Sequence, residues 1–199
     1  MKTTVSSKHP QDLRKTILYI TVATIGLALI ITVAVLSRNP SIVPQSATET
    51  HAQSALKVGQ IAPAFAVSTT AGSFDLASAK TPVLLEVFAT WCPHCQRETK
   101  VIDKLYAKFG KEVTIVGVTG SAVSMDGTTP ASENDLIQFA QKYQATYPLA
   151  FDSELKVAGA YLQAGFPTLI LIKADKTIAY IGDGEVTEQI LAAAIKKTL

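Results

Sequence analysis

The sequence predicts an α/β domain, a mixed central sheet with helices on both faces, preceded by one N-terminal transmembrane helix. Three observations point there. From Pro82 onward, apolar runs of strand length alternate with stretches of helical period, in the order β-α-β, then α, then β-β-α. Residues 57–199 are long enough for one good core. Ahead of them, Thr16 to Leu36 is a run of 21 residues without a charge. Composition sets limits as well. A net charge of +2, from 18 basic and 16 acidic residues in 199, is too balanced for a nucleic-acid reader, which needs a concentrated basic face. Two cysteines exclude a disulfide-dense scaffold and a Cys-rich zinc module.

The charge is unevenly divided. Residues 1–38 carry Lys2, Lys8, Arg14, Lys15 and Arg38 against Asp12 alone, whereas residues 39–199 carry thirteen basic and fifteen acidic groups. As a helix, residues 16–36 would rise ~30 Å, the thickness of a bilayer's hydrocarbon core. A helix satisfies its own backbone hydrogen bonds, as lipid requires. The hydroxyls of Thr21, Thr24 and Thr32 can return to carbonyls of the preceding turn. Four of the five basic groups precede the span, so residues 1–15 are expected in the cytoplasm and the domain outside it, either periplasmic or on the cell surface. A cleaved signal peptide is the rival reading, with small residues at Ala52, Ser54 and Ala55. The apolar run exceeds the ~7–15 residues of a signal peptide's core, which favours an uncleaved single-pass anchor. Residues 37–56, rich in Ser, Thr, Ala, Pro and Gln, read as a flexible tether, with His51 a solvated residue in it.

Within the domain, Ala62–Val67 and Ser73–Phe74 suggest a short strand pair. Pro82–Ala89 is nearly continuously apolar, as a central buried strand requires. A helix is predicted over Cys92–Phe109, with Val101, Ile102, Leu105 and Phe109 on one side and Gly110 ending it. Val113–Val118 reads as a second buried strand, and Thr119–Ser132 as a loop rich in Gly, Ser and Thr. Its part from Ser121 to Ser132 reads as a tolerated surface insertion, with a partner-specific feature as the alternative. A helix over Glu133–Tyr143, with Leu136, Phe139 and Ala140 inward, leads to a short strand at Pro148–Phe151. Ser153 is placed to cap a helix running to Leu162. Thr168–Lys173 and Thr177–Ile181, joined by Ala-Asp-Lys, read as a hairpin, and Thr187 as the cap of a last helix, Glu188–Lys197.

Cys92-Pro93-His94-Cys95 follows the strongest strand and opens a helix, the context in which this spacing points to thiol–disulfide chemistry. A thiolate at a helix start faces unpaired N–H groups and the positive end of the dipole. With Cys92 as N-cap, the amides of His94 and Cys95 can point at its sulfur, and Pro93 takes the first helical position without losing a bond. Cys92, at an exposed tip, is expected to be the attacking sulfur; Cys95, one turn deeper, resolves the mixed disulfide. His94 adds a positive charge when protonated and a donor when neutral; both would favour the Cys92 thiolate, stabilise the reduced form and make the disulfide a stronger oxidant. The competing readings are weak on these residues. A structural disulfide across so short a loop restrains the unfolded chain little. Zinc needs four ligands, and beyond the pair only His94, His9 and His51 exist. Haem attachment wants His where Gln96 stands. No metal and no organic cofactor is expected. Glu86 shares a strand face with Leu84 and Phe88, so its carboxyl is expected to be buried, with a raised pKa. The bland alternative pairs it with a lysine such as Lys173.

The segment Phe88-Ala89-Thr90-Trp91-Cys92-Pro93-His94-Cys95 resembles the thioredoxin superfamily, and its membrane-anchored, extracytoplasmic TlpA/ResA-like branch looks closest. The resemblance runs from about Val58 to the C-terminus. It includes Gly165-Phe166-Pro167-Thr168, which looks like that family's cis-proline motif, the Tyr161 region before it and Gly182 after the last strand. It implies a thioredoxin-like fold in which Pro167 is cis and packs near the cysteines, with Phe166 presenting backbone groups to an extended substrate. Thioredoxin's buried aspartate stands at the place of Glu86, which implies that Glu86 accepts the proton of Cys95. Trp91 is expected beside the disulfide, shielding it. The implied substrates are cysteine-containing proteins, and a membrane redox partner must reset the pair.

Two departures bear on direction. Reductase members often have proline where His94 stands, and Cys-Pro-His-Cys looks like the centre of DsbA-type oxidants. The pair therefore leans oxidising, with a potential above thioredoxin's ~−270 mV; the alternative is a reductase of the TlpA/ResA type, as in cytochrome c maturation. A thiol peroxidase would need threonine where Ala89 stands. A non-catalytic binding module using Phe166 is the remaining class.

Overall fold

The computed structural model describes residues 55–199. The expected span at 16–36 and nearly all of the tether lie outside the described residues, among which no helix is long and apolar enough to cross a membrane. Seven strands form one sheet: β1 (Ala66–Thr69), β2 (Gly72–Asp75), β3 (Val83–Phe88), β4 (Thr114–Thr119), β5 (Leu149–Ala150), β6 (Thr168–Ile172) and β7 (Ile178–Asp183), in the spatial order β2-β1-β5-β4-β3-β6-β7. The central strand β3 runs parallel to β4 and antiparallel to β6, so the sheet is mixed.

Alternation along β3 divides the core. Leu84 and Phe88 face a cluster covered by α1 (Pro93–Phe109), α2 (Glu133–Tyr143) and α4 (Glu188–Lys196). Val83, Leu85 and Val87 face the opposite side, covered by α3 (Lys156–Tyr161) and by Leu56, Ala62 and Leu76. Helices thus lie on both faces. The helix α2 has the predicted bounds because Ser132 and Asp135 form a reciprocal capping box. Thr187 caps α4 by accepting from Ile190 N.

Two local expectations are corrected. The first strand begins later than Ala62. Residues 59–62 pair instead along the start of β7, through Gly59 N to Ile178 O, Ile178 N to Gln60 O and Ala62 N to Lys176 O, each 2.8 Å, and Pro63, without an N–H, ends that ladder. Ser153 does not cap α3. The chain enters that helix through Leu155 in the left-handed region (φ 52°), and the Asp152 carboxylate takes the amides of Lys156, Val157 and Ala158 at 2.8–3.0 Å.

Candidate active site

Ala89–Trp91 carry the chain from the end of β3 to α1. Cys92 is the N-cap and Pro93 the first helical residue. Two expectations about Cys92 fail. It is 5% exposed, not an open tip, and its sulfur takes no capping amide. The thiol instead donates to Phe166 O at 3.6 Å, so the segment before β6 covers it. The Phe166–Pro167 peptide is cis, and Pro167 is buried. The Phe166 ring fits because residue 120 is glycine: a Cβ there would stand 3.0 Å from the ring and 2.7 Å from Val87. Trp91, 37% exposed, meets the Phe166 ring edge to face with centroids 6.0 Å apart, and its indole N–H donates to Ser121 Oγ at 2.8 Å. That bond joins the Thr119–Ser132 loop to the site.

Both cysteines are free thiols. Cys95 is fully buried, and burial, followed by the charge of Glu86, pushes its thiol far above the usual range. Glu86 is fully buried on the same face of the sheet. Its partner is Tyr147, whose hydroxyl donates to Oε2 at 2.7 Å, rather than Lys173. The other oxygen has no partner. Burial pushes Glu86 up to about 8; the Tyr147 bond opposes this, and the charges of Glu98 and Asp103 add to it. Gly117, paired with Glu86 across β3 and β4, leaves the room, since a Cβ there would lie 3.0 Å from the Tyr147 ring and 3.3 Å from Glu86 Oε2.

Glu98, which the sequence reading missed, is 1% exposed on α1. Oε2 accepts from Val186 N at 3.1 Å and Oε1 has no partner. Burial pushes it up to about 7, against the Val186 bond and with the charge of Glu185 adding. The overlooked signal was its position: it lies three residues after Cys95 on the inward stripe that continues through Ile102 and Leu105.

His94 is exposed in the first turn of α1. Its Nδ1 lies 2.5 Å from Glu185 Oε1, and Arg97 binds the same carboxylate. Among the described residues no cluster of three or more metal-ligating side chains occurs.

A fold with a thiol pair at a helix start, a cis proline across from it and buried carboxyls behind it is that of a thioredoxin-like oxidoreductase. Residues 58–181 match the AhpC/TSA family, and the chain belongs to it. It is similar to the thiol-disulfide oxidoreductase ResA of Bacillus cereus, 32% identical over 146 residues, covering 72% of this chain and 75% of that protein. The thioredoxin-like protein YneN of Bacillus subtilis is 28% identical over 136 residues, covering 67% and 76%. Among solved structures, a thiol:disulfide interchange protein of the thioredoxin family from Chlorobium tepidum TLS superposes with a TM-score of 0.58 at 20% identity, covering 72% of this chain and 99% of that one. StoA from Bacillus subtilis gives 0.57 at 19%, covering 67% and 97%. The chain is thus a thiol-disulfide oxidoreductase with a thioredoxin-like fold.

Proposed function

We propose that this oxidoreductase is anchored by residues 16–36, faces away from the cytoplasm, and reduces disulfides in cysteine-containing proteins through Cys92 and Cys95. The observation that carries the exchange reading is a buried thiol, Cys95, in the field of the buried Glu86 carboxyl, on which Glu98 acts in turn. The Cys92 thiolate attacks one sulfur of a substrate disulfide. A mixed disulfide forms and one substrate thiolate leaves, taking a proton from solvent. Cys95 then gives its proton to the Glu86 carboxylate and attacks Cys92 Sγ; the Cys92–Cys95 disulfide closes, and the second substrate sulfur leaves as a thiolate that takes a proton from solvent. A group with a pKa near the working pH suits this proton transfer, and Glu86 and Glu98 both lie there. Once Cys92 gives up its proton, Phe166 O is free to accept a substrate amide. An open groove of ≈ 630 Å³, lined by Leu155, Leu162 and Asp183, also includes Gly120, the glycine that makes room for the Phe166 ring. A membrane redox partner returns two electrons and two protons. The uncharged span supports the anchor, and the basic groups ahead of it support the orientation.

The direction rests on His94. The oxidising lean drew on its charge or its ring N–H to favour the Cys92 thiolate, and Nδ1 of that ring is engaged by Glu185. In the full chain, insulin reduction with dithiothreitol is expected, and Cys95→Ser is expected to trap a mixed disulfide at Cys92. Peroxide consumption without insulin reduction would return the thiol peroxidase. A potential far above ~−270 mV would return the oxidant.

A further inference from the structure

His94 is the only imidazole among the described residues, and it lies inside the redox motif. A ring nitrogen 2.5 Å from a carboxylate oxygen needs a hydrogen between them, so Nδ1 carries the proton and donates to Glu185. The Arg97 amino group 2.9 Å from the same nitrogen is then a neighbour, not its donor. Arg97 instead spends its donors on Glu185, with Nε 3.1 Å from each oxygen and an amino group on Oε1. An imidazole two residues from Cys92 and the Arg97 guanidinium therefore share one anion.

Glu185 is not a wandering surface acid. Gly184, with φ 76°, turns the chain out of β7, and its N–H donates to Pro167 O at 2.8 Å. Val186 N donates to Glu98 Oε2 on the other side. The residue is thus fixed between two bonds to the site itself. Arg97 first, then His94, holds its carboxyl down at about 2, so it stays anionic over the working range. The three side chains are 38–59% exposed, where ion pairs add little to stability. A role in folding does not account for the arrangement; a role in the electrostatics of the sulfur does. Arg97 is held up by Glu185 first and, among smaller causes, by the charge of Cys92.

We propose that Glu185 is a positioning residue that lowers the reduction potential of the Cys92–Cys95 pair, by placing its negative charge near Cys92 and holding the Arg97 guanidinium and the His94 ring that would otherwise favour the Cys92 thiolate. The motif of an oxidant is thereby set to donate electrons. The proposal rests on the thiol-exchange reading and deepens it.

The test is equilibration of the full chain in detergent with glutathione, in which the Cys92–Cys95 disulfide and two glutathione thiols give the dithiol and glutathione disulfide, read by thiol alkylation. Glu185→Gln keeps the shape and loses the charge. It is expected to shift the equilibrium constant about tenfold toward the dithiol, about 30 mV upward for a two-electron couple. Glu185→Asp, which keeps the charge, is expected to shift it by less than about threefold. A Glu185→Gln shift under about threefold overturns the proposal while leaving the exchange reading intact. So do equal shifts in both variants, which would make the segment's shape and not its charge the cause. An unsubstituted chain that forms no Cys92–Cys95 disulfide at any glutathione ratio overturns the exchange reading and this proposal together.

Discussion

Replacing Glu86 with glutamine removes a charge that the folded chain resists and the unfolded chain accepts. The folded carboxyl titrates at about 8, above its ordinary 4.5. Between those two pH values the unfolded chain has lost the proton and the folded chain keeps it. The unfolded state then binds fewer protons, so stability falls as pH rises through that window and is level below and above it. At ~1.4 kcal/mol for each pH unit, the drop from this group approaches ~5 kcal/mol as an upper bound. Glu98 titrates in the same field, from 4.5 to about 7, and adds a drop of the same sign. Glutamine keeps an acceptor for the Tyr147 hydroxyl and does not titrate. The assay is urea unfolding of His51–Leu199, a compact unit of its own, reduced and followed by the fluorescence of Trp91, its sole tryptophan. From pH 4.5 to 8.5 the unsubstituted domain should lose several kcal/mol more than the Glu86→Gln variant. Parallel curves would refute the placement of an uncompensated carboxyl beneath the sheet. The same variant should slow release of mixed disulfides more than their formation, and equal slowing would remove Glu86 from the proton transfer.

Glu98→Gln should also slow release, and the double variant Glu86→Gln/Glu98→Gln should be slower than either alone; a double variant no slower than Glu86→Gln, in stopped-flow release rates, would leave Glu98 a spectator. Gly117→Ala drives a methyl to 2.7 Å from Leu149 and 3.0 Å from the Tyr147 ring. Denaturant unfolding should show a loss of ~1–3 kcal/mol, and displacement of Tyr147 should move the pH midpoint of release upward. Asp152→Ala strips three amides of α3 of their acceptor. It should cost ~2 kcal/mol by the same assay without altering the glutathione equilibrium.

What the sequence made legible was local. The strand β3 is a nearly continuous apolar run, α2 shows its helical period in Leu136, Phe139 and Ala140, and Gly-Phe-Pro-Thr stands ahead of a β-rich strand, after the cysteines. Glu86 was legible because one acid interrupts an apolar strand. The same logic applied to Glu98, but its neighbours Arg97 and Lys100 made it look like part of a charged helix surface. The rest depended on contacts distant in the chain. Tyr147 meets Glu86 across 61 residues, Phe166 O covers Cys92 across 74, and Glu185 takes His94 across 91. Reasoning about a helix tip gave an exposed sulfur with amides around it, because nothing local announces that another segment will lie across it.

The register of the sheet explains why these distant residues meet. Phe88 ends β3, and its carbonyl takes Gly120 N just past the end of the parallel β4. Because β6 runs the other way, its first residue, Thr168, pairs with Val87, which delivers Pro167 to the same end. Thr168 in turn pairs with Asp183 at the close of β7, which delivers Gly184 and Glu185 there as well. Parallel and antiparallel neighbours of one strand thus converge on a single edge. The convergence separates two kinds of control. In the proposed mechanism the buried carboxyls accept the proton of Cys95 and so set how fast a mixed disulfide resolves. The exposed Glu185–Arg97–His94 cluster stands before Cys92 and governs where the equilibrium lies. A change to Glu86 should therefore move rates with little effect on potential, and a change to Glu185 should do the reverse. If both substitutions moved both quantities equally, the two sets of charges would be acting as one field rather than on separate sulfurs.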